Sequence, residues 1–205
     1  MLRIGFSETK CSLPSPAIFI DRDGVINCRR AGDYVLNWSD FSFTPGITEA
    51  LSELAKLRLP IIVISNQACV GKGLLTVSGL QDITTRMYEI LAAGGILISA
   101  AYYCIHRVED NCNCRKPKPA LLYNAASNYN IDLNRSVFIG DSDTDMQAGL
   151  AAGCTPVLFG STDVRSSDQL GLPKCIAFAE TADTLYAITV GQLKNCRGLE
   201  PSSRV

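Results

Sequence analysis

Apolar residues in this 205-residue chain fall into short unbroken runs separated by stretches with helical spacing. Ala17-Ile18-Phe19-Ile20, Ile61-Ile62-Val63-Ile64, about Ile96 to Tyr103, Val137-Phe138-Ile139-Gly140 and Pro156 to Phe159 lack polar alternation. That is the pattern of parallel strands buried on both faces. Between the runs, Ile47, Leu51, Leu54 and Leu57 recur at helical spacing, with Thr44 as the expected N-cap and Pro45 at the first helical position. A second helix, capped by Thr76, carries Leu80, Ile83, Met87, Ile90 and Leu91 and stops at Gly94-Gly95. Shorter helices are expected through Leu121, Leu122 and Ala125, over about Thr144 to Ala152, and from Ala177 to Val190. Pro14 and Pro16 predict an irregular arm before the first strand. Cys28 to Asp40 reads as a strap anchored by Tyr34 and Trp38. The alternation predicts one doubly wound, mostly parallel α/β domain over residues 17–190, after an N-terminal arm (1–16) and before a loose tail (191–205). The intervals between elements leave no room for a separate cap domain.

Composition narrows the function classes. With 47% hydrophobic and 19% charged residues the chain is globular. Lys+Arg 19 against Asp+Glu 20 leaves a formal charge of −1, so no global field recruits nucleic acid or a membrane surface, and any anion site has to be local. The opening residues do not read as a signal peptide, and no apolar run nears the ~20 residues that span a bilayer. A cytoplasmic monomer acting on a small molecule is the expectation.

Three of the strand runs end in polar sets: Asp21 and Asp23, then Ser65-Asn66-Gln67, then Asp141 and Asp145. Open α/β sheets bind ligands beyond the carboxyl ends of their strands. Alone, an Asp-x-Asp-Gly is better explained by a solvated turn. Together with Lys116, however, these groups form a set. Clustered carboxylates need a hard cation, and oxygen ligands beside a phosphate point to Mg²⁺. Hydroxyl and lysine groups stabilise phosphoryl oxygens, one carboxylate can attack phosphorus, and a second can manage the proton.

Nine cysteines without a secretion signal suggest metal binding or buried thiols rather than disulfides. Cys11, Cys28, Cys69, Cys154, Cys175 and Cys196 are scattered, whereas Cys104, Cys112 and Cys114 surround the only histidine, His106. Three thiolates and an imidazole within eleven residues match a closed structural Zn²⁺ site. The loop it would fix leads directly into Arg115-Lys116.

The order D-R-D-G-V-I-N, S-N-Q, C-R-K-P, G-D-S-D-T-D, over about residues 17 to 160, resembles the haloacid dehalogenase (HAD) superfamily of phosphohydrolases. Within it the chain is most similar to the D-glycero-D-manno-heptose 1,7-bisphosphate phosphatase and histidinol-phosphate phosphatase group. The resemblance implies Asp21 as nucleophile, Asp23 as general acid/base, and Ser65 and Lys116 as phosphoryl stabilisers. It implies Mg²⁺ on the Asp21 carboxylate, the Asp23 carbonyl and Asp141, with Asn66 and Arg115 orienting substrate. Asp145 is expected as a supporting carboxylate at a helix start. Gly71-Lys72-Gly73 reads as a flexible turn whose Lys72 touches a distal substrate group. Ser142 stands where heptose enzymes commonly have lysine, and the five-residue gap from His106 to Cys112 is short, as in histidinol-phosphate phosphatases. Heptose bisphosphate hydrolysis is the first expectation and histidinol phosphate the second; a phosphosugar-binding protein without catalysis is a third.

Overall fold

A computed structural model of the chain describes residues 1–7, 13–29, 34–160, 177–179 and 181–196. Its elements run β1 (Leu2–Gly5), β2 (Ile18–Ile20), α1 (Ile47–Ala55), β3 (Ile61–Asn66), α2 (Ala68–Gly71), α3 (Val77–Ala93), β4 (Ile98–Cys104), α4 (Ala120–Tyr129), β5 (Val137–Gly140), α5 (Asp143–Ala152), β6 (Thr155–Phe159), β7 (Ala177–Ala179) and α6 (Ala182–Cys196). The described strands form one sheet in the order β1-β4-β3-β2-β5-β6-β7, parallel throughout except where β1 joins β4.

Alternation within each buried strand divides the core into two layers. Ile18, Ile20, Val63 and Ile139 face Leu51 and Leu54 of α1, Leu80, Ile83 and Met87 of α3, and Leu185 and Leu193 of α6. Phe19, Ile62, Ile64 and Phe138 face Leu121, Leu122 and Ala125 of α4 and Ala148 and Ala152 of α5. In the second layer α5 packs closely on the sheet through small residues: a Cβ on Gly149 would lie 3.3 Å from the Phe138 ring. This is the doubly wound arrangement expected, and it places a chain reversal at β2. The strands β2, β3 and β4 step one way, and β5 returns to the other side of β2. The crevice beyond the carboxyl ends of β2 and β5 is thus the topological switch point where such sheets bind ligands.

Several boundaries differ from the sequence expectation. The arm before β2 is not wholly irregular, since Leu2–Gly5 pairs antiparallel with Ala100–Tyr103 as an edge strand. Thr44 does not cap α1; Gly46 does, at φ 74°, and the helix starts at Ile47. Leu57 lies beyond the end of α1, and Ile90 is exposed on α3, facing away from the core. Thr76 caps α3 as expected, its hydroxyl accepting from Gly79 N at 3.0 Å. Gly71 is the last residue of the short α2, where a turn was expected; a Cβ there would meet the Ile105 carbonyl at 2.7 Å, so α2 packs directly on the cysteine loop. The expected last helix begins with a strand, Ala177–Ala179, and continues as α6 to Cys196. Cys11, Cys175 and the tail from 197 onward lie outside the described residues.

Candidate active site

Each strand end delivers its polar group to the same crevice, which has a volume of about 560 Å³ and is lined by Asp21, Asp23, Arg29, Tyr34, Ser65, Asn66, Lys72, Arg115, Lys116 and Ser142 among others. A hollow of about 620 Å³ between α1, α3 and α6 is slightly larger, but its lining holds no cation and no metal-ligand set. The chemistry therefore belongs to the crevice.

Asp21 follows β2 directly, its N–H donating to Ile139 O of β5 at 2.8 Å. Lys116 Nζ reaches it at 3.0 Å, reaches Asp145 Oδ1 at 2.5 Å, and donates to Ile64 O at 2.9 Å. The ammonium is buried together with both carboxylates. Burial opposes its charge, but Asp145 and Asp21 outweigh that and hold the lysine above its ordinary range. Asp145 thus does more than favour a helix dipole. It also closes a capping box on α5, accepting from Ser142 N at 3.1 Å and Ser142 Oγ at 2.6 Å.

Ligand oxygens of Asp21, Asp141 and Asp145 lie within 4.8 Å of one another. Burial pushes Asp21 up to about 7, with Lys116 opposing and the carboxylates of Asp145, Asp141 and Asp23 adding to the rise. Asp141 is pushed up to about 6 by burial, against the pull of Arg29. Like charges this close are relieved by a divalent cation, and the oxygen-only donor set suits Mg²⁺. Gly24, at φ 90°, keeps the space open: a Cβ there would fall 1.8 Å from Asp141 Oδ2.

The cysteine cluster passes a geometric test. Cys104 Sγ lies 3.5 Å from Cys112 Sγ, Cys112 Sγ 3.7 Å from Cys114 Sγ, and His106 Nδ1 3.7 and 3.2 Å from the sulfurs of Cys104 and Cys114. Tetrahedral Zn²⁺ bonds imply edges of about 3.8 Å between sulfurs and about 3.5 Å between sulfur and nitrogen. Burial pushes the Cys104 thiol up to about 12, so a thiolate there needs a cation beside it.

Asn66 and Arg115 stand at the crevice, but Asn66 is turned to the main chain of the lysine loop: its Oδ1 accepts from Lys116 N at 3.1 Å and its Nδ2 donates to Lys116 O at 3.2 Å. It braces the segment that presents Lys116. Arg115 Nη1 is buried with no hydrogen-bond partner among the described residues. Lys72 Nζ lies 3.0 Å from Tyr34 Oη across the crevice mouth.

Four residues take part in the site in ways the sequence does not assign. Arg29 pairs with Asp141 at 2.9 Å. Arg22, Asn27 and Gln67 all hydrogen-bond the Asp23 carboxylate. Arg22 and Asn27 lie one and four residues from Asp23 in the chain, whereas Gln67 and Arg29 reach their partners only through distant contacts. Burial works against the Asp23 charge, but Arg22, Asn27 and Gln67 together hold its carboxyl below the ordinary range.

Residues 113–187 match the HAD-hydrolase-like family. A Helicobacter pylori (strain J99) protein named D-glycero-beta-D-manno-heptose-1,7-bisphosphate 7-phosphatase is 41% identical over 137 residues, 66% of this chain and 78% of that protein. A D-glycero-alpha-D-manno-heptose-1,7-bisphosphate 7-phosphatase of Mycobacterium tuberculosis (strain CDC 1551) is 36% identical over 149 residues, 70% of this chain and 78% of that one. This chain belongs to the HAD-like hydrolase family. Among solved structures it is similar to D,D-heptose 1,7-bisphosphate phosphatase from B. bronchiseptica, crystallised with magnesium and phosphate, at 31% identity and a TM-score of 0.78 over 88% of this chain and 99% of that one. No helix among the described residues is long and apolar enough to cross a membrane.

Proposed function

We propose that this protein is a Mg²⁺-dependent phosphomonoesterase that removes the 7-phosphate of a D-glycero-D-manno-heptose 1,7-bisphosphate by way of a phosphoaspartate at Asp21. The observation that carries this reading is the convergence of Asp21, Asp23, Ser65, Lys116 and Asp141 on one crevice at the switch point of the sheet. The names of the relatives supply the substrate.

In this reading Asp21 and Asp141, with the Asp23 carbonyl, would hold Mg²⁺, which would supply positive charge against these carboxylates and the phosphoryl group. Ser65 Oγ and Lys116 Nζ bind the phosphoryl oxygens. An Asp21 carboxylate oxygen attacks phosphorus while Asp23 gives a proton to the leaving sugar oxygen. Asp23 then takes a proton from the water that attacks the phosphoaspartate. The unpartnered Arg115 nitrogen and Lys72 meet the rest of the anionic substrate. The enzyme acts in the cytoplasm, as a monomer, on a small sugar phosphate. Phosphate release from the heptose bisphosphate, histidinol phosphate and other phosphosugars, with and without EDTA, tests the reading. Fastest, chelator-sensitive turnover of the heptose bisphosphate is expected. Preference for histidinol phosphate, which the short His106–Cys112 gap favours, would replace the substrate; release of phosphate from none would leave a binding protein.

Cys104, His106, Cys112 and Cys114 hold one structural Zn²⁺ in this account, and α2 and Asn66 brace the same loop. Protein purified without chelator should contain about one zinc per chain. Stripping it should slow turnover about 10- to 100-fold, the usual cost of loosening a support around a reacting group. A zinc-free chain with unchanged melting temperature and activity would reject the site.

The raised carboxylates also predict a pH dependence. Between the ordinary aspartate value and about 7, the folded metal-free chain binds more protons than the unfolded one, because Asp21 and Asp141 stay protonated only when folded. Its stability should therefore fall as pH rises through that window. Adding Mg²⁺ should raise the melting temperature more at about pH 8 than at about pH 5, where protons compete for the same oxygens. Equal shifts at both values would contradict the carboxylate site.

A further inference from the structure

Arg22 lies between the two aspartates of the opening motif and yet is fully buried, an uncommon position for arginine unless it is paired. Its partner is Asp23. The Arg22 Nε and Nη2 atoms lie 3.2 and 2.8 Å from Asp23 Oδ1, and Nη2 lies 3.0 Å from Oδ2. The same Nη2 donates to Gln67 Oε1 at 3.1 Å. A guanidinium has no acceptor, so this contact fixes which way the Gln67 amide points. Its Nε2 must then face Asp23 Oδ2, at 2.6 Å, and Ser65 Oγ, at 3.1 Å. Asn27 Nδ2 completes the grip on Asp23 Oδ1 at 3.0 Å.

The terminal torsion of an aspartate is soft and nearly two-fold, so the side chain alone does not set the plane of its carboxyl group. Donors set it here. We propose that Gln67 and Arg22 are positioning residues that hold the Asp23 carboxyl in the plane from which it serves the leaving-group oxygen, an inference that rests on the phosphatase reading above. Neither residue takes or gives a proton in the reaction. Asp21 forms the bond to phosphorus, the bond from phosphorus to the leaving oxygen breaks, and the electron pair left on that oxygen takes its proton from Asp23. Gln67 and Arg22 donate to the two carboxyl oxygens and so fix the plane in which the Asp23 group meets the breaking bond. The same amide nitrogen faces Ser65 Oγ, so the serine hydrogen is left to point at the phosphoryl oxygen.

The two roles separate by leaving group. A sugar alkoxide needs the proton from Asp23, whereas p-nitrophenolate leaves without one. Damage transmitted through Ser65, or through general loosening of the crevice, slows both classes together. Gln67→Glu keeps the side-chain shape and an acceptor for Arg22, but replaces the donor facing Asp23 by a second carboxylate. Gln67→Met removes the donor at similar volume and keeps the measurement available should the acidic variant fail to fold. With Mg²⁺ present, kcat/KM is measured for each variant and the wild type on the heptose 1,7-bisphosphate and on p-nitrophenyl phosphate. The ratio of the sugar value to the aryl value is expected to fall about tenfold or more in the variants, since general acid catalysis is typically worth ~10²–10⁴ in rate. A ratio unchanged from wild type, whether both values fall or neither does, overturns the inference and leaves the phosphatase reading standing. A wild type inert on both substrates overturns that reading, and this inference with it.

Discussion

Replacing Asp21 by Asn is expected to abolish phosphate release, by at least about 10⁴-fold, while leaving the fold intact. The size follows from the chemistry: uncatalysed phosphomonoester hydrolysis is among the slowest reactions that enzymes accelerate, and removal of a nucleophile costs most of the advantage. The fold should survive because the site holds three carboxylates in a small volume around one lysine. Asn keeps the oxygen that accepts from Arg22 N at 2.7 Å and removes a charge that burial and the neighbouring carboxylates disfavour, against the pull of Lys116. The melting temperature of the metal-free variant should therefore match or exceed that of the wild type. Activity and thermal melts on the same preparation check both halves. A variant that retained appreciable turnover would show that Asp21 does not attack phosphorus, and one that lost activity only by unfolding would leave the residue a structural role.

Lys116→Met should fail differently. Lys116 is buried with Asp21 and Asp145 as its ion partners, and removing one member of such a group leaves uncompensated buried charge, at a cost of about 3–5 kcal/mol. For a chain of this length that corresponds to a drop of roughly 6–20 °C in melting temperature. Turnover measured well below the new melting point should still fall about 10²–10³-fold, because a preorganised cation at the phosphoryl oxygens is lost. The stability deficit should narrow as pH is lowered, since Asp21, already pushed up to about 7, then takes a proton in place of the missing ammonium. A deficit that stayed constant with pH would mean that the lysine stabilises the chain by packing alone, for instance against the Phe138 ring 5.6 Å away.

Much of this crevice was legible in the sequence, and the physical reason is the sheet. Strands buried on both faces must be continuous apolar runs, so β2, β3 and β5 announced themselves, and the polar residues that end each run had to arrive at one edge. The cysteine cluster was equally legible, because Cys104, His106, Cys112 and Cys114 lie within eleven residues. What escaped notice depends on contacts made across the chain. The edge strand β1 is only four residues long and alternates half-buried and exposed positions without a continuous apolar run, so little in the sequence separates it from an arm. Gly46 takes over the cap from Thr44 because a left-handed residue must turn the chain into α1, a requirement set by where the strap ends. Arg22 and Gln67 looked like ordinary polar residues at a strand end, and only their 45-residue separation brought to 3.1 Å reveals a shared task. The family resemblance implies Asn66 as a substrate contact, but its amide is bonded on both sides to the Lys116 main chain, fifty residues on.

The same geometry unites the two halves of the account. The nucleophile candidate follows the most central of the described strands, its cation partner comes from the segment just after the cysteine and histidine cluster, and the carboxylate that steadies that cation closes the capping box of α5. The supports of Lys116 can be removed separately, so Asn66, Asp145 and the proposed zinc should act on rate through that lysine.

The measurement that addresses the central claim most directly is the stereochemical course at phosphorus, followed with a substrate whose transferred phosphoryl group is made chiral by oxygen isotopes. Attack by Asp21 and then by water comprises two in-line displacements, each inverting the phosphorus. Net retention of configuration is the result predicted here; net inversion would mean that water attacks the substrate directly and that no phosphoaspartate is formed.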